Sequence, residues 1–381
     1  MRPDSRPFLI LVIFICCIAC KKHNGPAGSS APPADIYVLG TSDNGLLYWK
    51  NGQATSLPGI PGYSAYGTGI AVSGDNVYAC GGSATSLLAA YGNVWINGIA
   101  SPLADTAMNS FNTTPEAIFV DGTDVYVAGL VNYDSTHGIP YVGDSAVYPL
   151  FGKVATSWKN GRPVFLPSYR LLASGYGGGA VETHSDYVSG IYVSGNDVYV
   201  SGGSNGYYAD KDSSIQFAKY WKNGVLINLT PGLIEMSGTT ISGYPMTSGI
   251  FVSGGDVYLS GYRGYNQALY WKNGNPVFLT TEQTNGAAAD AIFVDGNDVY
   301  VAGNLADSAG TNHAVYWKNG AVTRLSNNLS GGYAIAVVNG DIYVAGVEYI
   351  DNIGYPTYWK NGAATHLGKN GQARAIAVVA H

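Results

Sequence analysis

The chain has 381 residues, a formal net charge of −6 and only 12% charged residues, about half the ~25% of ordinary soluble domains. Its 52 glycines and 30 tyrosines suit a β-protein of many tight turns and aromatic, half-buried strands. No run of lysines or arginines builds the clustered basic face that a nucleic-acid partner requires, and that class of partner is excluded.

At the N-terminus, Arg2 and Arg6 precede an apolar run from Phe8 to Ala19, followed at once by Cys20, Lys21 and Lys22. The run is too short to span a bilayer and has the length of a signal-peptide core. Cys17-Ile18-Ala19-Cys20 resembles the bacterial lipobox, in which cleavage precedes a cysteine that is then acylated; Cys17 stands where leucine is usual. The resemblance implies loss of residues 1–19, lipidation of Cys20, and an envelope protein anchored by acyl chains. Both the periplasmic and the outer-surface side of the outer membrane fit. Cys80 is then the one remaining thiol, inside a strand pattern, where a small buried hydrophobe is expected. His23 to Pro33 is a Gly/Ser/Pro tether, so the folded body is expected over residues 34–381.

That body repeats. All seven tryptophans, Trp49, Trp95, Trp158, Trp221, Trp271, Trp317 and Trp359, sit in copies of one pentapeptide, five of them Tyr-Trp-Lys-Asn-Gly. A residue type used once per copy marks a packing device of a repeated structural unit. The clearest copy, residues 292–326, predicts four strands: Ile292 to Asp295, Asp298 to Ala302 with Gly303 ending it, His313 to Lys318, and Ala321 to Leu325. Asn319-Gly320 between the last two is the pair favoured in two-residue type I′ hairpins. Runs such as Val-Tyr-Val-Ala are apolar at every position, so both faces of each sheet should be covered. The chain opens on a second strand (Asp35 to Leu39) and ends on a lone first strand (Ala375 to Val379). Those two pieces complete one unit. The expected fold is an all-β, seven-bladed β-propeller, four antiparallel strands per blade, with the first blade closed by the C-terminal strand.

The run His313 to Ser326, HAVYWKNGAVTRLS, is similar to the HAF-type repeats of bacterial extracellular proteins, with their Trp-x-Asn-Gly turn and following Leu. The match covers one hairpin per repeat. The His-Ala start occurs only at His313-Ala314, and the resemblance implies no known active site.

Topology separates two faces. The first-to-second and third-to-fourth turns are short and nearly invariant, while the second-to-third loops and blade crossovers vary widely. The longest are Leu130 to Lys153, Pro167 to Ser189, Gly203 to Gln216 and Pro231 to Ser248. Long loops on a rigid scaffold are where binding residues concentrate. Tyr133, Tyr141, Tyr176, Tyr187, Tyr207, Tyr208 and Tyr244 lie in them, and tyrosine offers rigid surface plus one hydroxyl for sugars or protein epitopes; equally, such residues pack long loops onto the disc. Glu182, His184 and Asp186 alternate in one crossover, so an extended backbone aims all three one way. With Asp134 and His137 of a neighbouring loop they are the candidate acid/base or metal set, against solvated loop charge. The aspartates that recur once per blade (Asp124, Asp197, Asp256, Asp298, Asp341) are expected to bond their own turn backbone. The lysines before each Asn-Gly are expected to be solvated.

The sequence therefore points to an envelope-anchored binding propeller, monomeric and without cofactor, that takes a glycan or protein ligand on the long-loop face. A carbohydrate hydrolase or lyase using the blade 3–4 loops, and a structural adhesion component, are the competing readings.

Overall fold

In the computed structural model of the chain the described residues are 34–84, 90–103, 113–133, 152–167, 185–208, 213–229, 245–264 and 266–381. The expected leader, Cys20 and the expected tether lie outside them. Twenty-eight strands form seven four-stranded antiparallel sheets. In the first, the C-terminal strand Ala373–Ala380 pairs with Ala34–Ser42, Ile36 opposite Val378 and Val38 opposite Ile376. The expected closure of blade one by the two chain ends is the observed one. The first strand of each blade touches the first strands of both neighbours, from Ala373–Ala380 through Ser64–Ser73, Thr113–Asp121, Ser185–Ser194, Pro245–Ser253, Ala287–Asp295 and Ser330–Val338 back to the start. These seven strands are the hub of a closed ring. Each blade's fourth strand is its rim, as at Ala321–Arg324, where all four residues are exposed.

The tryptophans hold the blades face to face. Trp317, 1% exposed, packs among Val301 and Val315 of its own blade and Tyr258 and Ala268 of the blade before it. Asn319 and Gly320 have φ of 49° and 84°, the doubly left-handed pair of a type I′ turn.

The repeated aspartates do not bond their own turns. Asp298 accepts from Asn319 Nδ2 at 2.8 Å and pairs with Lys318 at 2.9 Å, and Lys318 Nζ stands 5.0 Å from the Tyr300 ring centre. The same Asp–Lys–Asn–Tyr tile recurs in six blades, with Lys–Asp distances of 2.8–2.9 Å. In the second blade Asn76 and Ile96 replace the charged pair. These aspartates thus clamp one hairpin to the next, and their lysines are paired rather than merely solvated. A groove of about 560 Å³ between blades five and six, lined by Asp256, Tyr258 and Lys272, is walled by one of these tiles and belongs to the scaffold.

Strands run further than the pattern suggests. The second strand of blade six is Asp298–Ala306 and passes through Gly303, where the sequence predicts its end. Gly303 lies opposite a break in register between Ala289 and Ala291 of the hub strand. A Cβ on Gly303 would stand 2.0 Å from the Ala288 carbonyl oxygen, so the glycine admits a β-bulge instead of stopping the strand. Every hub strand carries this bulge. Likewise Gly203 to Gln216 is not one loop: Asp197–Tyr208 pairs with Ser213–Lys222 as far as Tyr208 opposite Ser213.

Candidate functional site

Each hub bulge inserts one extra residue: Thr68, Glu116, Ser189, Ser248, Asp290, Tyr333 and, in the closing strand, Arg374. A bulge re-aims the side chain it carries. Two of the small ones fasten blade to blade. Thr68 Oγ1 donates to the Pro115 carbonyl at 2.9 Å, and Ser189 Oγ lies 3.0 Å from Thr247 Oγ1. The larger ones meet at the axis. Arg374 of blade one acts electrostatically on Glu116 of blade three and on Asp290 of blade six. Those carboxyls lie two blades away on either side, and the space these positions share is the central channel.

Arg374 is exposed to the channel and its guanidinium lies 5.0 Å over the Tyr333 ring, a cation–π contact. With the Gln372 amide oxygen turned toward it, that oxygen accepts from Nη2 at 2.8 Å and Nε at 3.1 Å. Asp290 Oδ2 accepts from Asn304 Nδ2 at 2.6 Å, and Asn304 Oδ1 accepts the Gly332 amide at 3.2 Å. The Tyr66 hydroxyl is shielded from solvent without a hydrogen-bond partner. Toward the short-turn end, Phe119, Tyr192, Phe251 and Phe293 form an arc with ring centres 4.7–4.9 Å apart. The same hub position is Ala336, Ala377 and Ala71 in blades seven, one and two. The arc lies three residues beyond the bulges, about 10 Å at ~3.3 Å per residue.

Burial pushes the Glu116 carboxyl up to about 7, against the pull of Lys153 and Arg374. Burial also lifts Asp290 to about 7, with Arg374 opposing. Both carboxyls are therefore close to half-protonated at neutral pH, each able to give or take a proton. The linkage sign follows: both hold protons more tightly folded than unfolded, so the folded state binds more protons between pH 4 and 7 and stability falls as pH rises through that window. Thermal melts should lose a few degrees between pH 5 and pH 8, and Glu116→Gln with Asp290→Asn should flatten that slope. An unchanged slope in the double variant contradicts the assignment.

The residues singled out from sequence fare differently. Asp186 is 5% exposed and pairs with Lys219 Nζ at 2.8 Å, the two side chains 4% and 3% exposed. Its Oδ1 also accepts from Ser204 Oγ at 2.6 Å, and its Oδ2 from the Ala155 amide of blade three at 3.3 Å. Asp186 is a buried brace between blades. Tyr187 packs inward, its hydroxyl accepting the Thr247 amide at 3.2 Å. Tyr133, Tyr207 and Tyr208 stand in strands, not loops. Glu182, His184, Asp134, His137, Tyr141, Tyr176 and Tyr244 lie outside the described residues, so among the described residues only Asp186 represents the carboxylate–imidazole set.

The channel residues carry a signal that the strand pattern hides. Each hub strand reads x-[Gly/Ala]-Ile-[Ala/Phe/Tyr]-Val, with x being Thr68, Glu116, Ser189, Ser248, Asp290, Tyr333 or Arg374. One position varies from threonine to arginine inside an otherwise repeated apolar run.

No family model matches the chain, and no curated protein matches it. The solved structures similar to it are distant. A Dyadobacter fermentans protein of unknown function is 7% identical with a TM-score of 0.47, over 91% of this chain and 99% of that one. Apo AztD from Citrobacter koseri is 11% identical with a TM-score of 0.41, over 92% and 98%. Trypanosoma rangeli sialidase in complex with the inhibitor DANA is 9% identical with a TM-score of 0.41, over 86% and 56%. The chain is a seven-bladed β-propeller, and its channel residues must be judged on their own chemistry.

Proposed function

We propose that this chain is an envelope lipoprotein, tethered through Cys20, that binds glycans in its central channel, entered from the long-loop face. The supporting observation is the convergence of Glu116, Asp290 and Arg374 from three non-adjacent blades. Planar groups of both hydrogen-bonding senses, here carboxyl, amide (Asn304) and guanidinium beside the Tyr333 ring, match the clustered hydroxyls and apolar faces of a sugar. The ring is rigid, so little ordering opposes binding. A glycan screen with the full chain tests this. A hit whose affinity drops tenfold or more in Asp290→Ala, which removes the hydrogen-bonding group altogether, is expected; no hit, or a hit indifferent to that change, counts against the reading.

A second reading, hydrolysis of a glycosidic bond, is favoured by one observation. Glu116 and Asp290 are both held at about 7, the range in which a carboxyl serves as general acid or base. It predicts turnover of the bound glycan that Glu116→Gln abolishes.

A further inference from the structure

Arg374 is the anchor from which a ligand class can be argued. Among the described residues it makes no ion pair; its contacts are the Tyr333 ring and, along its Nε–Nη2 edge, the Gln372 amide. The two nearest carboxyl-bearing bulges do not neutralise it. Asp290 spends one oxygen on Asn304, and Glu116 reaches Arg374 only through space. Stacking and one-sided hydrogen bonding restrain the plane of the guanidinium and engage its Nε–Nη2 edge, while the side chain as a whole stays exposed. A planar, always-charged fork held in this way is suited to a carboxylate, which it can grip with two parallel hydrogen bonds.

We propose that the glycan taken into this channel carries a carboxylate, as in a uronic-acid saccharide, and that Arg374 binds that group. The proposal rests on the glycan reading above.

Protonation supports it. An anion brought beside ionised Glu116 and Asp290 would be repelled, but both carboxyls are close enough to neutrality at pH 7 to take up protons as the ligand binds. The charged and titratable groups facing Glu116 are Lys153, Arg374, Tyr66 and Cys80. Those facing Asp290 are Arg374 and Tyr333. Tyr66 and Cys80 are each pushed up to about 12 by burial, and burial also raises Tyr333. The two carboxyls are thus the groups among these that take up protons near neutrality. Binding of an acidic saccharide should therefore weaken as pH rises from 6 to 8, while binding of its neutral counterpart should not follow the same slope.

The test is calorimetric titration of the full chain with a galacturonate tetrasaccharide and with the matching galactose tetrasaccharide, at pH 6 and pH 8. The expected result is at least tenfold tighter binding of the acidic probe at pH 6, a preference lost in Arg374→Gln and only partly kept in Arg374→Lys, whose ammonium keeps the charge but not the two parallel hydrogen bonds. Arg374 is exposed, so neither change threatens the fold, and circular dichroism checks that. Equal affinity for the two probes, or a preference that survives Arg374→Gln, overturns the carboxylate proposal and leaves the glycan reading standing. Binding of neither probe overturns both.

Discussion

Asp186→Ala should destabilise the protein by about 3–5 kcal/mol, because it strands a buried lysine without its counter-charge. Lys219 is 3% exposed and burial already lowers its pKa, with Asp186 opposing that shift. Its ammonium also lies 4.7 Å from the Trp221 ring centre, so its collapse would disturb a tryptophan that anchors blade four. Replacing both partners by apolar residues, Asp186→Leu with Lys219→Met, should recover much of the loss, since an apolar pair of similar volume removes the desolvation cost of both charges. Urea unfolding of the single and double variants checks this. Near-wild-type stability of Asp186→Ala would restore Asp186 as a candidate for chemistry instead of bracing.

A loss of similar size is expected for Trp317→Ala. The indole is 1% exposed and fills the contact between blades five and six. Deleting a buried aromatic side chain costs about 3–5 kcal/mol, transfer and cavity terms together. Val322→Ala on the rim strand, where the side chain is 52% exposed, should change stability by less than about 0.5 kcal/mol. A denaturant series comparing the two reads the contrast directly. Equal, small effects would mean that the tryptophans are not the packing units of the ring.

That packing role was legible in the sequence, and for a physical reason. A residue that must fill the same inter-blade space seven times is repeated seven times, and the Asn-Gly that follows it has a backbone conformation few other pairs adopt. The split first unit, Asp35 to Leu39 and Ala375 to Val379, revealed circular closure before any coordinates. The site was far less legible. Glu116, Asp290 and Arg374 sit in apolar strands, and the one variable position of the hub pattern marks them only when all seven copies are aligned. Gly303 and its equivalents were a second clue, but a glycine after Val-Ala reads equally as a stop. Asp186 misled in the opposite way. A carboxylate spaced two residues from His184 suggests chemistry, whereas its lysine partner lies 33 residues further along the chain and is invisible to spacing. The tiles show the same limit: Asp298 and Lys318 are 20 residues apart in sequence and meet only when adjacent hairpins register.

The electrostatic asymmetry of the ring has a simple origin. The bulge is a feature of the scaffold, present in every blade, and its residue is free to vary because the repeat does not use it for packing. In blades two, four and five it is a small hydroxyl residue, and those at Thr68 and Ser189 tie neighbouring blades together. In blades one, three, six and seven it carries Arg374, Glu116, Asp290 and Tyr333. Three residues further along the same strands, the aromatic arc of Phe119, Tyr192, Phe251 and Phe293 occupies blades three to six, with alanine below Arg374 and Tyr333. The channel is therefore polar at mid-depth and lopsided beneath, a shape set by two hub positions three residues apart.

The central claim is that ligand is held in the channel and not by the tyrosines that the sequence singles out. The most direct measurement is the affinity of one screened glycan for two variants side by side, Asp290→Ala and the double change Tyr207→Ala with Tyr208→Ala. Loss of tenfold or more in Asp290→Ala, with the tyrosine variant close to wild type, is the predicted outcome. The reverse pattern, with binding lost only when the tyrosines are removed, would contradict it.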